Sequence, residues 1–194
     1  LFYKKFLEKD LTTYSVKDDE TTGKGPIVCL LDVSGSMTDN SFDPKINNIT
    51  WAKSLLVCIR KLALKQKRKM VIIPFESSVW DNIEAKEDIK TLLTLSPSGG
   101  TDFFTAIQAG IEAVKTDREY KRADLVLITD GACLLSEDQI KEVKSKKKDV
   151  RTKIISLLIG AQQNYSENVA LYSDRVHDIK QISESSSWVE VFEI

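Results

Sequence analysis

Histidine and cysteine are scarce in this chain, which has one histidine and three cysteines among its 194 residues. Cys29, Cys58 and Cys133 are an odd set without C-x-x-C spacing, and Cys29 lies in an apolar run, where free buried thiols are common. This usage favours a reducing, intracellular setting, and we expect a cytoplasmic protein. His177 falls in a predicted late strand, so we expect no histidine beside Cys133 to activate a thiolate nucleophile.

Long hydrophobic runs and an excess of charge of either sign are also missing. The apolar stretches at residues 27–31 and 153–160 are far shorter than the roughly 20 residues that a membrane-spanning helix needs. The chain carries 28 basic and 29 acidic residues, a formal net charge of −1, so no global field favours nucleic acid or an anionic membrane. We therefore expect neither membrane insertion nor a nucleic-acid partner.

The chain does contain a regular alternation of strand-like and helix-like segments, and its 42% hydrophobic content can bury one substantial core. Four short runs rich in Val and Ile lack polar alternation, which is typical of strands buried on both faces of a parallel sheet: residues 27–31, 70–75, 124–129 and 154–159. Helical periodicity marks three stretches between them: residues 49–66, 103–115 and 137–147. The pattern predicts an α/β fold, a Rossmann-like open sheet that is mostly parallel, with helices on both faces.

Three further segments depart from this alternation. Residues 77–83 follow the second strand after a short break, so we predict that they pair with it as an antiparallel edge strand. Residues 175–182 resemble a last strand, and residues 186–194 a short closing helix. We therefore assign residues 26–194 to one domain.

The start of the chain is interpreted separately. Residues 11–17 have strand character, and the turn at Gly23-Lys24-Gly25-Pro26 leads from them to the first core strand. Residues 1–25 are predicted to be an N-terminal arm, which is either an added edge strand or the junction to an upstream region.

Polar side chains follow two of the buried strands directly. Asp32 ends the first strand and is followed by Ser34 and Ser36, and Asp130 follows the strand at residues 124–129. If these strands are neighbours, their loops meet at the carboxyl ends of the strands, where open α/β sheets bind ligands. A third loop, which contains Thr101, can reach the same place just before a helix begins.

These five side chains offer only oxygen ligands, which select Mg²⁺, Ca²⁺ or Mn²⁺ over softer metals. Isolated Asp and Ser residues usually cap helices or serve as loop hydroxyls, but three matching loops in this order favour one divalent cation, Mg²⁺ before Mn²⁺ or Ca²⁺. Because hydroxyls leave the ion incompletely neutralised, an acidic side chain from outside would be drawn to an open coordination position.

Four neighbouring residues are expected to support the loops. Gly35 would let the first loop turn between the serines, Gly100 and the glycine before it would allow a sharp approach, and Gly131 would let the chain leave Asp130. Asp102 is expected to cap the helix that starts near residue 103, with support of the metal through water as the alternative.

Three motifs carry a family resemblance: Asp-Val-Ser-Gly-Ser-Met at residues 32–37, Gly-Gly-Thr-Asp at residues 99–102 and Thr-Asp-Gly at residues 129–131. In this order they resemble the metal-ion-dependent adhesion site (MIDAS) of von Willebrand factor A (VWA) domains, over about residues 26–194. The resemblance implies a VWA fold and a metal held by Asp32, Ser34, Ser36, Thr101 and Asp130. It implies direct contact from the serines and often the threonine, and contact from the aspartates often through water.

A narrower resemblance rests on residues 25–29, Met37, residues 60–64 and residues 96–102, which are similar to the ViaA-like bacterial proteins. It implies a role as a co-factor of a MoxR-type AAA+ ATPase, with the metal gripping a Glu or Asp of the ATPase or of its substrate. Residues 38–50 depart from shorter relatives as an extended loop beside the metal.

Catalysis is not expected from these motifs. An aspartyl phosphotransferase would need a second carboxylate where Ser34 stands, and neither a G-x-S-x-G elbow nor a G-x-x-x-x-G-K-[ST] phosphate loop is present. We expect a metal-dependent protein-interaction module rather than an enzyme. The alternatives are an extracellular adhesion domain that uses the same site and, third, a Mg²⁺-dependent phosphohydrolase.

Overall fold

The computed structural model describes residues 25–41, 43–84 and 89–179. The strands are Ile27–Asp32 (β1), Met70–Phe75 (β2), Ile83–Glu84 (β3), Asp124–Thr129 (β4), Ile154–Leu158 (β5) and Arg175–Asp178 (β6). The α-helices are Asn48–Lys65 (α1), Ile89–Thr94 (α2), Phe103–Thr116 (α3), Glu137–Asp149 (α4) and Gln163–Ala170 (α5). Short 3-10 helices cover Gly35–Thr38 and Arg118–Tyr120.

The strands form one sheet in the order β3-β2-β1-β4-β5-β6. All neighbouring pairs are parallel except β2 and β3, which are antiparallel. The predicted Rossmann-like architecture, a mostly parallel sheet with an antiparallel edge strand, is therefore confirmed. Because β1 lies between β2 and β4, the loops that follow these three strands share one edge of the sheet.

Two apolar layers cover the two faces of the sheet, as the unbroken hydrophobic runs predict. Alternate residues of β1 belong to different layers: Cys29 and Leu31 pack with α1, whereas Val28 and Leu30 pack with α3 and α4. All six residues of β1 are buried. This central strand therefore fixes the position of Asp32 at its carboxyl end.

Helix α4 shows how local sequence sets an element's limits. Ser136 and Gln139 form a reciprocal capping box at its start, with Glu137 and Asp138 in the first turn and three lysines in the last. Both charge sets match the helix dipole. These end signals predict the helix even though only Ile140 and Val143 are buried along it.

The edge elements differ in part from the prediction. After β2 the chain makes a tight turn in which Glu76 N–H donates to the Ser78 carbonyl at 2.9 Å. Within the predicted residues 77–83, Val79 forms an isolated antiparallel bridge with Phe75, and the continuous pairing begins at Ile83 in β3. Strand β6 is Arg175–Asp178, and the end of the predicted strand, residues 180–182, lies outside the described residues. Helices α2 and α5 were not predicted. The predicted strand at residues 11–17 and helix at residues 186–194 lie outside the described residues.

Arg68 links the segment that enters β1 to the rest of the sheet, at the amino-terminal ends of the strands. Its side chain is 2% exposed, lies 3.2 Å from Asp124 at the start of β4, and donates through Nε to the Gly25 carbonyl. A single buried guanidinium thus holds the segment that enters β1 against β4. Within the described part of the chain, no helix is both long and apolar enough to cross a membrane.

Candidate metal centre

The first loop turns back directly after β1 and brings two hydroxyls together. Asp32 is fully buried, and its Oδ1 accepts the Ser34 backbone N–H at 2.9 Å. The 3-10 turn that starts at Gly35 then places Ser36 beside Ser34, with their Oγ atoms 3.2 Å apart. One carboxylate and two hydroxyls therefore cluster at the end of the central strand.

Thr129 links this loop to the neighbouring strand, and sequence reasoning missed its role. Its hydroxyl donates to Asp32 Oδ2 at 2.5 Å, while its oxygen accepts the Gly131 N–H at 2.9 Å. The threonine is fully buried. Thr129 opens the Thr-Asp-Gly motif, so the sequence did contain a signal for it. A hydroxyl that bonds to a carboxylate rather than to the metal itself has no sequence pattern of its own.

The second loop lies directly against the first. Gly35 N–H donates to the Gly99 carbonyl at 3.1 Å, and Ser98 N–H donates to the Val33 carbonyl at 2.9 Å. These two backbone bonds hold the second loop, which carries the half-buried Thr101, against the first loop.

Asp102 ends the second loop as a helix cap, as predicted. Its Oδ1 accepts the Thr105 N–H at 3.0 Å, and its Oδ2 accepts the Thr105 hydroxyl at 2.6 Å. The Asp102 N–H itself donates to the Glu76 carbonyl at 2.8 Å, so the loop is also attached to the end of β2. Glu76 is the second residue that the sequence interpretation overlooked.

The third loop begins at Asp130, directly after β4. Asp130 is 6% exposed, and its Oδ1 accepts the Ala132 N–H at 3.0 Å. Burial is the main cause of the raised pKa of Asp32, and the like charge of Asp130 adds to it. The structure thus brings together the loops that carry Asp32, Ser34, Ser36, Thr101 and Asp130 at one edge of the sheet.

The glycines divide into different roles. Gly99 and Gly131 have positive φ values of 68° and 79°, which glycine adopts at little cost. Gly35 allows the first and second loops to approach closely, because a Cβ there would lie 3.1 Å from the Gly99 carbonyl oxygen. At Gly100 an added Cβ would meet nothing nearer than 3.9 Å. The special backbone requirement therefore falls on Gly99 rather than on Gly100.

The electrostatics of Asp32 favour a cation. Burial raises the pKa of Asp32 to about 6, and hydrogen bonds from Ser34 and Thr129 oppose that shift only in part. A buried carboxylate that remains under-compensated gains most from a nearby positive charge. Two carboxylates and three hydroxyls fit a hard divalent cation with water in the remaining positions.

Within the described residues, no group of three or more His, Cys, Asp and Glu side chains is placed to hold a metal ion. The Cys133 thiol follows Asp130 closely, but burial raises its pKa, which opposes formation of a thiolate.

The loop at residues 38–50 is shorter than predicted because α1 begins at Asn48. Asn48 is fully buried, and its N–H donates to the Asp39 carbonyl at 2.8 Å while its Nδ2 donates to Ser41 Oγ at 3.2 Å. The start of α1 therefore holds the segment that leaves the first loop.

Comparison with known proteins adds a family and a fold. The family model described as von Willebrand factor type A domain matches residues 27–132. Among curated proteins, the uncharacterized protein MJ0811 of Methanocaldococcus jannaschii is 28% identical over 96% of the chain, and MJ0077 of the same organism is 30% identical over 73%. The regulatory protein ViaA of Photorhabdus laumondii is 28% identical over 66%. The chain spans only 42%, 35% and 29% of the lengths of these three relatives.

Solved structures of low sequence identity share the architecture. BatB from Bacteroides thetaiotaomicron has a TM-score of 0.64 at 14% identity, with 88% of this chain and 100% of that one covered. The VWA domain of SpRpn10 has a TM-score of 0.64 at 14% identity, with 80% and 87% covered. A von Willebrand factor type A protein from Catenulispora acidiphila has a TM-score of 0.64 at 13% identity, with 88% and 42% covered.

Proposed function

Because this chain belongs to the von Willebrand factor type A domain family, we propose that it is a MIDAS-type module that holds one divalent cation, Mg²⁺ first, and uses it to bind an acidic residue of a protein partner. Asp32, Ser34, Ser36, Thr101 and Asp130 are the residues that would hold the ion. The bound cation would supply an electrophilic position for a carboxylate.

The observation that carries this proposal is the mutual attachment of the loops. The bond from Gly35 to Gly99 and the bond from Thr129 to Asp32 tie three loops from different parts of the sequence to one edge of the sheet. Loops that are fixed before a ligand arrives lose little entropy when it binds. Holding these hydroxyls and carboxylates at one edge of the sheet costs free energy if they share no ligand.

The ligand set also supports capture over catalysis. Hydroxyl ligands are neutral and two carboxylates only balance the charge of a divalent ion, so a coordination position that is filled by water stays open to exchange for a further oxygen ligand. A Glu or Asp side chain of a partner meets that requirement. We propose that the domain itself has no enzymatic activity. Turnover of p-nitrophenyl phosphate by the chain, with loss in Asp32→Ala, would contradict this part of the proposal.

The partner that we propose is a MoxR-type AAA+ ATPase or its substrate, in the cytoplasm. Support comes from the similarity to a ViaA protein, whose name describes it as regulatory, and from the ViaA-like residues at 25–29 and 96–102. Cys29, Cys58 and Cys133 are free thiols in the structure, which suits a reducing compartment.

Calorimetry would test the proposal directly. The chain would be titrated with a nucleotide-free MoxR-type ATPase from the same organism, first with Mg²⁺ and then with EDTA. We expect binding in Mg²⁺, and loss of binding both in EDTA and in the double variant Ser34→Ala with Ser36→Ala.

The matched control replaces two exposed helix serines, Ser54→Ala with Ser145→Ala, and should bind like the parent. Affinity that is the same in EDTA as in Mg²⁺ would refute metal-mediated gripping. Binding of Mg²⁺ without binding of the ATPase would refute only the partner.

A further inference from the structure

A basic groove lies at the other end of the sheet from the metal loops. It runs between the carboxyl-terminal halves of α3 and α4 and reaches the turns that precede β4 and β5, in two adjoining parts of about 250 and 400 Å³. Strand β4 has six residues at roughly 3.3 Å each, so the groove is about 20 Å from the edge of the sheet that carries the metal loops, which we call the metal edge. We call the groove itself the distal groove, and its lining is Gln108, Ile111, Glu112, Val114, Lys115, Lys121, Arg122, Lys146, Asp149, Val150 and Arg151.

From this lining we propose that the distal groove is a second docking surface, which binds an acidic segment of a protein with an apolar residue among its carboxylates. Five cations and two carboxylates line the groove. The excess is local, because the whole chain has a formal net charge of −1. Such a patch attracts an anionic partner that the rest of the surface would not.

Three of the cations have no partner within the chain as described. Lys121, Arg122 and Arg151 are exposed and take part in no ion pair among the described residues. By contrast, Lys146 is paired with Glu142 at 2.7 Å, and Lys115 lies 3.8 Å from Glu112. The rim formed by the three free cations is therefore available to carboxylates from outside.

The helix dipoles do not account for this rim. Lys115 and Lys146 belong to the last turns of α3 and α4, where a cation complements the helix dipole. Lys121, Arg122 and Arg151 lie beyond the last residue of either helix. Arg122 and Arg151 also have φ values of 59° and 54°, at turns where glycine is the less strained choice, so the turn itself does not call for arginine.

The floor of the groove argues for a peptide rather than a nucleic acid. Ile111, Val114 and Val150 supply an apolar base on which an aliphatic side chain can pack. The residues that line this described groove include no aromatic ring on which a base could stack. Glu112 and Asp149 would repel closely spaced phosphates, whereas a peptide can place its carboxylates at the rim alone.

Fluorescence anisotropy of a labelled Glu-Glu-Leu-Glu-Glu peptide would test the proposal on the full chain. EDTA in the buffer keeps the metal edge from contributing, so failure here is separate from failure of the proposed function. In the variant Lys121→Gln, Arg122→Gln, Arg151→Gln we expect binding to weaken about tenfold. The control Lys45→Gln, Lys61→Gln, Lys144→Gln removes the same charge from exposed positions outside the groove and should bind like the parent.

Other results would overturn the proposal. Equal weakening in both triple variants would mean that only net charge matters. Unchanged binding when the peptide's leucine is replaced by serine would exclude the apolar floor. Tighter binding of a single-stranded oligonucleotide would assign the groove to nucleic acid. Much tighter peptide binding by Asp18→Asn, Asp19→Asn, Glu20→Gln would make the chain's own acidic residues the occupant instead of a partner.

Discussion

Thr129 donates its hydroxyl hydrogen to Oδ2 of Asp32 at 2.5 Å, across the boundary between the neighbouring strands β1 and β4. The same oxygen accepts the Gly131 N–H, so one buried hydroxyl serves both the first and the third loop. Thr129 is thus a positioning residue for the candidate metal centre, although it is not itself a proposed ligand.

Thr129→Val tests this role because valine keeps the branched shape and removes the hydroxyl. We expect the free energy of unfolding to fall by about 2 kcal/mol, since a buried carboxylate and a backbone N–H both lose a hydrogen bond. Urea unfolding in EDTA measures the change without metal. Thr116→Val is the control, because its hydroxyl bonds only to the Glu112 carbonyl on an exposed helix surface. Equal stability of the two variants would show that the bridge contributes nothing.

We expect the same substitution, glycine to alanine, to have different effects at the two adjacent glycines of the second loop. Gly99→Ala would force a residue with a side chain into φ 68° and place its Cβ in a clash with Glu76 Oε2. We expect a loss of about 1–2 kcal/mol from the backbone conformation, together with a displaced loop. Gly100→Ala meets no close neighbour and should change stability little.

Thermal unfolding and Mg²⁺ titration of both glycine variants distinguish these expectations. Adding Glu76→Ala to Gly99→Ala relieves the contact with the glutamate but leaves the strained φ, so only part of the loss should return. If Gly100→Ala is the more damaging variant, the structural division between the two glycines is wrong.

Much of the sheet could be read from the sequence because its strands are buried on both faces. The predicted limits of β2 and β4 are those of the structure, and β1 and β5 differ by one residue. Uninterrupted Val and Ile runs are typical of the central strands of a parallel sheet, which are covered on both faces. Helix α5, Gln163–Ala170, was not predicted because only Val169 is buried along it, so it carries no apolar periodicity.

The candidate site was predictable as a set of loops but not as a network. A carboxylate directly after a buried strand, which is a ligand type that hard cations prefer, marks Asp32 and Asp130. The contributions of Thr129 and Glu76 depend on which backbone and side-chain atoms meet across strands, and that is set by register. A sequence pattern does not show which atoms of neighbouring strands come into contact.

Arg68 allows a prediction that separates stability from metal binding. Arg68→Met removes the partner of Asp124 and the donor to the Gly25 carbonyl at the far edge of the sheet. Because the pair is mostly buried, we expect a loss of about 3 kcal/mol in the free energy of unfolding. Lys69→Met is a matched control, since its pair with Glu119 is exposed and should contribute less than about 1 kcal/mol.

Chemical denaturation gives the stabilities of these two variants, and calorimetry with Mg²⁺ alone gives their metal affinities. We expect the affinity of Arg68→Met to equal that of the parent when measured well below its unfolding temperature. A large loss of metal affinity in this variant would mean that the two edges of the sheet are coupled.

Removal of the metal should lower stability in a way that depends on the site's hydroxyls. An ion that binds only the folded chain stabilises it by about 2.7 kcal/mol at a concentration one hundred times its Kd. We therefore expect the unfolding temperature to rise on addition of Mg²⁺ and to return in EDTA. The double variant Ser34→Ala with Ser36→Ala should remain folded in EDTA, because these Oγ atoms bond to each other and, from Ser34, to Asp32 within the same loop, and it should lose the response to Mg²⁺. Ser54→Ala with Ser145→Ala should keep it. A Mg²⁺ response that survives in the Ser34 and Ser36 variant would place the ion elsewhere and remove the basis for metal-mediated binding of a partner.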